Sequence, residues 1–290
     1  MKPSTIHAPD GSALARELHI RPGVGVAAHV LQGRGLQILR MRVDLPALIL
    51  VDRGIKTVKP ASGASVRAQP RQAILLSGNQ TVDFTNLVAE GTQYEARWLL
   101  FDAELLDDAY YAARVAQHER RDTPPSPVRL LSKVRPGLSD AFERARQALA
   151  PDPALPDAIA RQRVLEVMHW LLEDGVVLRS APVDASVSIS VRALIAGRLD
   201  HGWTASRVAD ALAMSEATLR RRLAAEGASM TALIVDARMA SALTLLQATT
   251  QPVSEIARSV GYESPSRFAV RFRERFGFAP TSVRGHERAD

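Results

Sequence analysis

The sequence predicts an α+β chain: a small antiparallel β-barrel with following helices, then an all-α C-terminal region built on two helix-turn-helix motifs. Three observations carry this reading. Residues 36–101 alternate like strands, residues 121–127 form a proline-rich break, and the last third holds a helical pattern that repeats itself. The chain has 290 residues, enough for two domains, with 46% hydrophobic and 23% charged residues, an ordinary globular composition. Cysteine is absent, which excludes disulfides, thiolate metal sites and thiol nucleophiles. The longest apolar runs, such as residues 45–51, fall far short of the ~18 residues of a spanning helix, and the opening residues carry no apolar signal stretch. A soluble, cytoplasmic chain with no membrane partner is expected.

The strand region is justified segment by segment. Leu39, Met41, Val43 and Leu45 alternate with Arg40, Arg42 and Asp44, and Tyr94, Ala96, Trp98 and Leu100 alternate with Gln93, Glu95 and Arg97, so each segment has one apolar face. Between them lie short apolar runs at 48–51, 55–58, 73–76 and 82–84, separated by turn residues at Asp52-Arg53-Gly54, Ser62-Gly63 and Ser77-Gly78-Asn79. Gly23-Val24-Gly25 and Gly33-Arg34-Gly35 read as turns rather than phosphate loops, because neither opens a helix at the required spacing. Many short strands at close spacing argue a small barrel or jelly roll. Pro124, Pro125 and Pro127 end the strand region, since each fixes φ and removes a backbone donor.

Beyond that break the period turns helical. One helix is expected over residues 139–149, closed by Pro151 and Pro153, and a longer one over 157–177. In the second, Leu165, Met168, Leu171 and Leu172 recur on one face. The stripe is either core or a homodimer seam through Leu165, Met168 and Leu172, and the expectation placed on it is the seam, because a helix outside the barrel has little else to cover it. The expected domains are residues 1–125, 126–180 and 186–290.

In the last of these, Val208, Ala209 and Leu212 recur 48 residues later as Ile256, Ala257 and Val260, and Leu219 and Leu223 recur 49 residues later as Phe268 and Phe272. Each copy reads as a short helix, a tight turn, and a second helix capped by Ser215 or Ser264, which is helix-turn-helix grammar over about 204–225 and 252–276. Phe and Leu at i,i+4 face inward. The other faces carry Arg220, Arg221 and Arg222 in one copy and Arg267, Arg271, Arg273 and Arg275 in the other. Residues 186–290 hold 14 Arg and 10 acidic residues, net +4 of the chain's +6, a balance compatible either with nucleic acid or with a composition that favours Arg throughout. A helix over residues 230–247 would span about 27 Å, so the two second helices could enter successive major grooves ~34 Å apart.

At these residues the chain resembles the AraC/XylS family of bacterial transcription regulators. The stretch IARSVGYESPSRFAVRFRERFGFAP, residues 256–280, followed by Arg284, is similar to the family's C-terminal signature. ADALAMSEATLRRRL, residues 209–223, is similar to its first helix-turn-helix, and Arg238 with Leu245 and Leu246 resembles its linker helix. The resemblance implies double-stranded promoter DNA and RNA polymerase as partners. For residues 1–180 it implies a cupin-like sensing domain followed by dimerisation helices in a homodimer. Carried over by position, Ala217, Arg220 and Arg221 of the first recognition helix, and Pro265, Ser266, Ala269 and Val270 of the second, would meet base edges, and Thr218, Arg222, Arg271 and Arg273 complete the expected DNA-binding residues. Val270 stands where the family commonly has Arg. It would pack on a thymine methyl while Arg271 and Arg273 hold phosphates. Arg222 occupies a position that is often apolar, from which it can snorkel toward the DNA backbone.

A cupin-type metalloenzyme is the competing class. The seven histidines are dispersed, with none on residues 36–101, so no metal site, cofactor or catalytic residue is expected. Control of the regulator rests on one of two readings: a small-molecule effector inside the barrel, lined by Leu76, Phe84, Tyr94 and Trp98, or a protein partner on its surface. A cavity with a few convergent polar groups would favour the former.

Overall fold

Period-two burial builds two antiparallel sheets. The computed structural model describes residues 16–88, 92–118, 126–152, 154–179 and 186–284. The strands are β1 (Glu17–Arg21), β2 (Gly25–Gln32), β3 (Leu36–Val43), β4 (Ala47–Arg53), β5 (Ile55–Pro60), β6 (Val66–Ala68), β7 (Ala73–Leu76), β8 (Gln80–Leu87) and β9 (Tyr94–Phe101). After the short helices α1 (Ala103–Leu106) and α2 (Ala109–His118) comes β10 (Val128–Leu131). One sheet runs β1-β2-β9-β4-β7-β10 and the other β3-β8-β5-β6. Between them Val30, Ile49, Val51, Val58, Ile74 and Val82 form one core.

The six-stranded sheet is buried on both faces. Leu48, Leu50, Leu75, Leu99 and Phe101 point away from the second sheet into a separate core with α3 (Pro136–Leu149) and α4 (Asp157–Glu173). Double burial explains why β4 and β2 read as continuous apolar runs without alternation. It also explains why β2 is absent from the sequence-based strand set; β1, a five-residue edge strand with Ile20 exposed, is absent as well. β10 corrects the expectation that strands end at the prolines: it pairs with β7, Val128 opposite Leu76, so the sheet extends past residue 125. Residues 121–125 of the proline segment lie outside the described residues.

The alternation expected for β3 is corrected by a bulge. Its register against β8 shifts between Ile38 and Met41, and Arg40 sits at φ 50° with its N–H donating to Asp83 Oδ1 at 2.7 Å. One extra residue reverses the pleat. Ile38 and Met41 therefore pack toward the same cluster, and Leu39, expected on the apolar face, is exposed.

The dimer seam is corrected as well. Leu165, Met168 and Leu172 are buried within the chain's own core, with Met168 at 0% exposure. The outer face of the six-stranded sheet needs a cover, and α3 and α4 supply it, so the stripe has an intrachain partner that periodicity alone could not reveal.

The remaining elements are helical: α5 (Val187–Ala196), α6 (Ala205–Ala211), α7 (Glu216–Ala225), α8 (Met230–Ala248), α9 (Val253–Ser259), α10 (Pro265–Phe276) and a 3-10 turn (Pro280–Arg284). No single helix among the described residues is long and apolar enough to cross a membrane.

Truncating a fully buried side chain leaves a cavity, so Met168→Ala should cost about 2–5 kcal/mol. Urea denaturation reads the loss, and sedimentation should show an unchanged oligomeric state. A change of oligomeric state without loss of stability would restore the seam.

Candidate nucleic-acid interface

Each helix-turn-helix is closed by its own cap and core. In the first, the Thr204 hydroxyl accepts from the Arg207 N–H at 3.3 Å to start α6, and the Ser215 hydroxyl accepts from the Thr218 N–H at 3.1 Å to start α7. Val208, Ala209, Leu219 and Leu223 are buried together with Val191 and Ile195 of α5. In the second, Ser264 caps Arg267 and Pro265 occupies the first turn of α10, where its missing N–H costs nothing. Phe268, Phe272 and Phe276 form a row with ring centroids 5.6 and 4.7 Å apart against α8 and α9.

The two turns adopt the same left-handed conformation at equivalent positions, Ala213 at φ 51° and Gly261 at φ 85°. They differ in what surrounds them. A Cβ at Gly261 would lie 2.6 Å from Arg238 Nη2 and 2.8 Å from the Leu199 carbonyl oxygen.

That crowding reflects the role of α8, which joins the two units. Arg238 donates to the carbonyls of Leu199 at 3.0 Å, Gly261 at 3.1 Å and His201 at 3.3 Å, tying the end of the α5 segment and the entry to the first motif to the turn of the second. One helical turn's reach away, Asp236 pairs with Arg192 of α5 and Arg275 of α10, both at 3.0 Å. Arg275 is thereby corrected: it belongs to no outward basic face. Its remaining donors reach the Leu39 and Arg40 carbonyls on the β3 bulge at 2.9 and 2.7 Å.

The other expected DNA-binding residues lie as follows. Ala217, Arg220, Arg221 and Arg222 are exposed on α7, as are Pro265, Ser266, Val270, Arg271 and Arg273 on α10, while Thr218 and Ala269 are half-buried. Val270 is 58% exposed, a large apolar side chain on the open face of α10. Arg220 pairs with Glu216 and Arg271 with Glu274 along their own helices. Such exposed pairs contribute little and yield readily to a phosphate. The Thr218 hydroxyl accepts from Ser215 Oγ at 2.9 Å, which ties it to the cap and leaves its own O–H to donate.

A second feature is an open pocket of about 1900 Å³ that runs from the sandwich interior past α5 and α8 and on to α1 and the segment after α4, residues 175–179. Leu76, Phe84, Tyr94 and Trp98 all line it. Sequence reasoning missed its polar members. Lys56 is buried at 7% exposure, its Nζ 3.1 Å from Asn86 Oδ1 and 4.1 Å from the centroid of the Phe84 ring. The buried Tyr94 hydroxyl has no hydrogen-bond partner. The available signal was period two, since Lys56 shares a face of β5 with buried Val58. Among the described residues, no three His, Asp or Glu side chains come together as a metal ligand set.

Gly261→Ala should cost about 1–3 kcal/mol from backbone strain alone, with displacement of Arg238 added. Ala213→Gly, at the equivalent but open turn, should be neutral or mildly stabilising. Thermal unfolding of both variants compares them directly, and equal effects would contradict the asymmetry.

Burial pushes the Lys56 amine from 10.5 down to about 7. Between those values the unfolded chain holds the proton and the folded chain does not, so stability rises with pH across that window. Below it, the cost of burying the charge is constant. The wild-type-minus-Lys56→Met difference in unfolding free energy should therefore climb from pH 7 to pH 10, and a flat difference would contradict the burial argument.

Residues 208–286 match a family model described as a helix-turn-helix domain. The chain is 37% identical over 89 residues to the transcriptional regulator SirC of Salmonella typhimurium, covering 31% of this chain and 30% of SirC. It is 36% identical over 98 residues to the HTH-type transcriptional regulator YdeO of Shigella flexneri, covering 34% and 38%. It thus spans about a third of the length of these curated relatives. Among solved structures, ToxT from Vibrio cholerae is similar over 89% of this chain and 97% of its own, with TM-score 0.59 and 13% identity, a likeness of fold. A second ToxT structure, described as bound to unsaturated fatty acid, covers 91% and 98% with TM-score 0.55 and 12% identity. Residues 208–286 are thus similar to the helix-turn-helix domain of these transcription regulators, and the fold of the whole chain, two helix-turn-helix units joined by α8 behind a two-sheet N-terminal half, is similar to that of ToxT.

Proposed function

We propose that this protein is a sequence-specific, non-enzymatic DNA-binding transcription regulator whose two recognition helices, α7 and α10, read adjacent major grooves of promoter DNA. The observation that carries the reading is the pair of capped, basic-faced motifs fixed on one rod: α8 has 19 residues, about 28 Å at ~1.5 Å per residue, near the ~34 Å spacing of successive grooves. Arg220 and Arg221 lie on the face that meets base edges. Arg271 and Arg273 lie further along α10, where a helix leaving the groove crosses a phosphate strand. The similarity of residues 208–286 to regulators named as such supports the same reading.

The activity of this regulator is set by a small molecule in the cavity between the sheets and α8. Its largely apolar lining around the buried Lys56 amine and the Tyr94 hydroxyl suits an apolar molecule bearing an acidic group, which would hold the amine protonated. The structure of ToxT described as bound to unsaturated fatty acid is a precedent for that class of ligand on this fold.

Three measurements test these readings. Duplex affinity of the full chain should fall steeply with salt as phosphate contacts release counterions. Arg221→Ala should cost ~1–3 kcal/mol and relax preference at one base position, whereas Arg273→Ala should weaken all sequences about equally. An unchanged base preference in Arg221→Ala would overturn the register of the first recognition helix. Titration with oleate should quench Trp98 fluorescence, an effect lost in Trp98→Phe, and unaltered emission would remove the effector reading.

A further inference from the structure

A chain of buried side chains runs from the cavity to α8. Lys56 Nζ donates to Asn86 Oδ1 at 3.1 Å, Asn86 Nδ2 donates to Gln32 Oε1 at 3.1 Å, and Gln247 Nε2 of α8 donates to the same Gln32 oxygen at 3.0 Å. Gln32 Nε2 is held in turn by the Arg34 carbonyl at 2.6 Å. Gln32 and Asn86 are almost wholly buried, at 0% and 2% exposure, so each amide has to find its partners inside the protein.

Two groups fix the orientations: Lys56 as a donor at one end, and the Arg34 carbonyl, which can only accept, at Gln32. While Lys56 holds its third proton it can only donate, so Asn86 turns its oxygen to Lys56 and its NH2 toward Gln32. Gln32 must then present its oxygen, which leaves Gln247 as a donor. Reversing any one amide sets donor against donor or acceptor against acceptor, a costly fault in a dry interior. Gln247 sits at the C-terminal end of α8, beside Ala248, which packs into the core between the sheets. The same helix carries Asp236 and Arg238, which hold both helix-turn-helix units.

We propose that the chain Lys56–Asn86–Gln32–Gln247 is the regulatory coupling that carries the state of the cavity to α8. The inference rests on the effector reading above and adds the route by which an effector acts. An acidic group beside Lys56 takes the ammonium as its own partner and draws it from Asn86. The Asn86 amide is then free to turn its oxygen against that of Gln32, the repulsion displaces the Gln32 amide, and the hydrogen bond that pins α8 to β2 weakens. With the cavity empty, the same chain holds α8 against the sheet. Conversion of Lys56 to an apolar residue reproduces the occupied state without a ligand.

A double-mutant cycle in the full chain tests this: wild type, Lys56→Met, Gln247→Met and the double variant. Hydrogen exchange across residues 243–249 is the readout, with duplex affinity measured alongside. Each single variant should raise exchange at the end of α8 by on the order of 10-fold, the worth of one net hydrogen bond. The double variant should be no worse than either single. Effects that multiply, or a Lys56→Met chain with wild-type exchange on α8, would overturn the coupling. Asn86→Leu supplies a second entry to the same chain if either variant unfolds, and should match the single variants. Exchange needs neither DNA nor effector. Failure of the regulator reading would appear as absent duplex binding in wild type, failure of the effector reading as no oleate-induced change, and failure of this inference as additivity in the exchange cycle.

Discussion

Two neighbouring charged residues on α8 set the geometry of the whole C-terminal half. Arg238 satisfies three carbonyls that lie at the ends of different segments, and Asp236 neutralises one arginine from each flanking helix. A helix of 19 residues is about 28 Å long, so without such ties its two ends would carry motifs free to rotate about it. The guanidinium fork suits the task because it offers five donors in a fixed plane. Gly261 follows from it: the turn of the second motif must approach Arg238 more closely than any side chain allows.

The N-terminal half obeys a different constraint. A six-stranded sheet with two apolar faces needs two covers, and it finds them in the smaller sheet on one side and α3 and α4 on the other. The smaller sheet leaves an opening toward α8, where the cavity lies and where Leu36 and Ile38 join the core of the second motif. The β3 bulge serves both halves. It turns Met41 inward beside Ile38 and presents the carbonyls of Leu39 and Arg40 to Arg275. The N-terminal sheets and the second helix-turn-helix unit thus share one packed interface.

The parts that were legible in the sequence are those whose signal is local. Ser215 and Ser264 mark helix starts because a cap bonds its own next turn, and Leu219 with Leu223, like Phe268 with Phe272, mark inward faces by spacing alone. The alternation of Tyr94 and Trp98 marked a face of β9 that lines the cavity. What escaped depends on distant partners. Arg275 reads as one more surface arginine until Leu39 and Arg40, 236 and 235 residues away, accept its protons. Lys56 passes unnoticed inside the run 55–58, although it shares a face of β5 with buried Val58, because its partners Asn86 and Phe84 lie on β8. The α4 stripe was visible, but its cover was not, since β4 and β7 show no periodicity that distinguishes two buried faces from one.

Hydroxyl-radical footprinting of the full chain on a promoter duplex tests the central claim most directly, because it reads the spacing of the two motifs without assuming any base contact. Two rigidly joined recognition helices predict two protected patches on one face of the duplex, their centres about 10 bp apart. A single protected patch, or two patches on opposite faces, would contradict a rod that presents both motifs together.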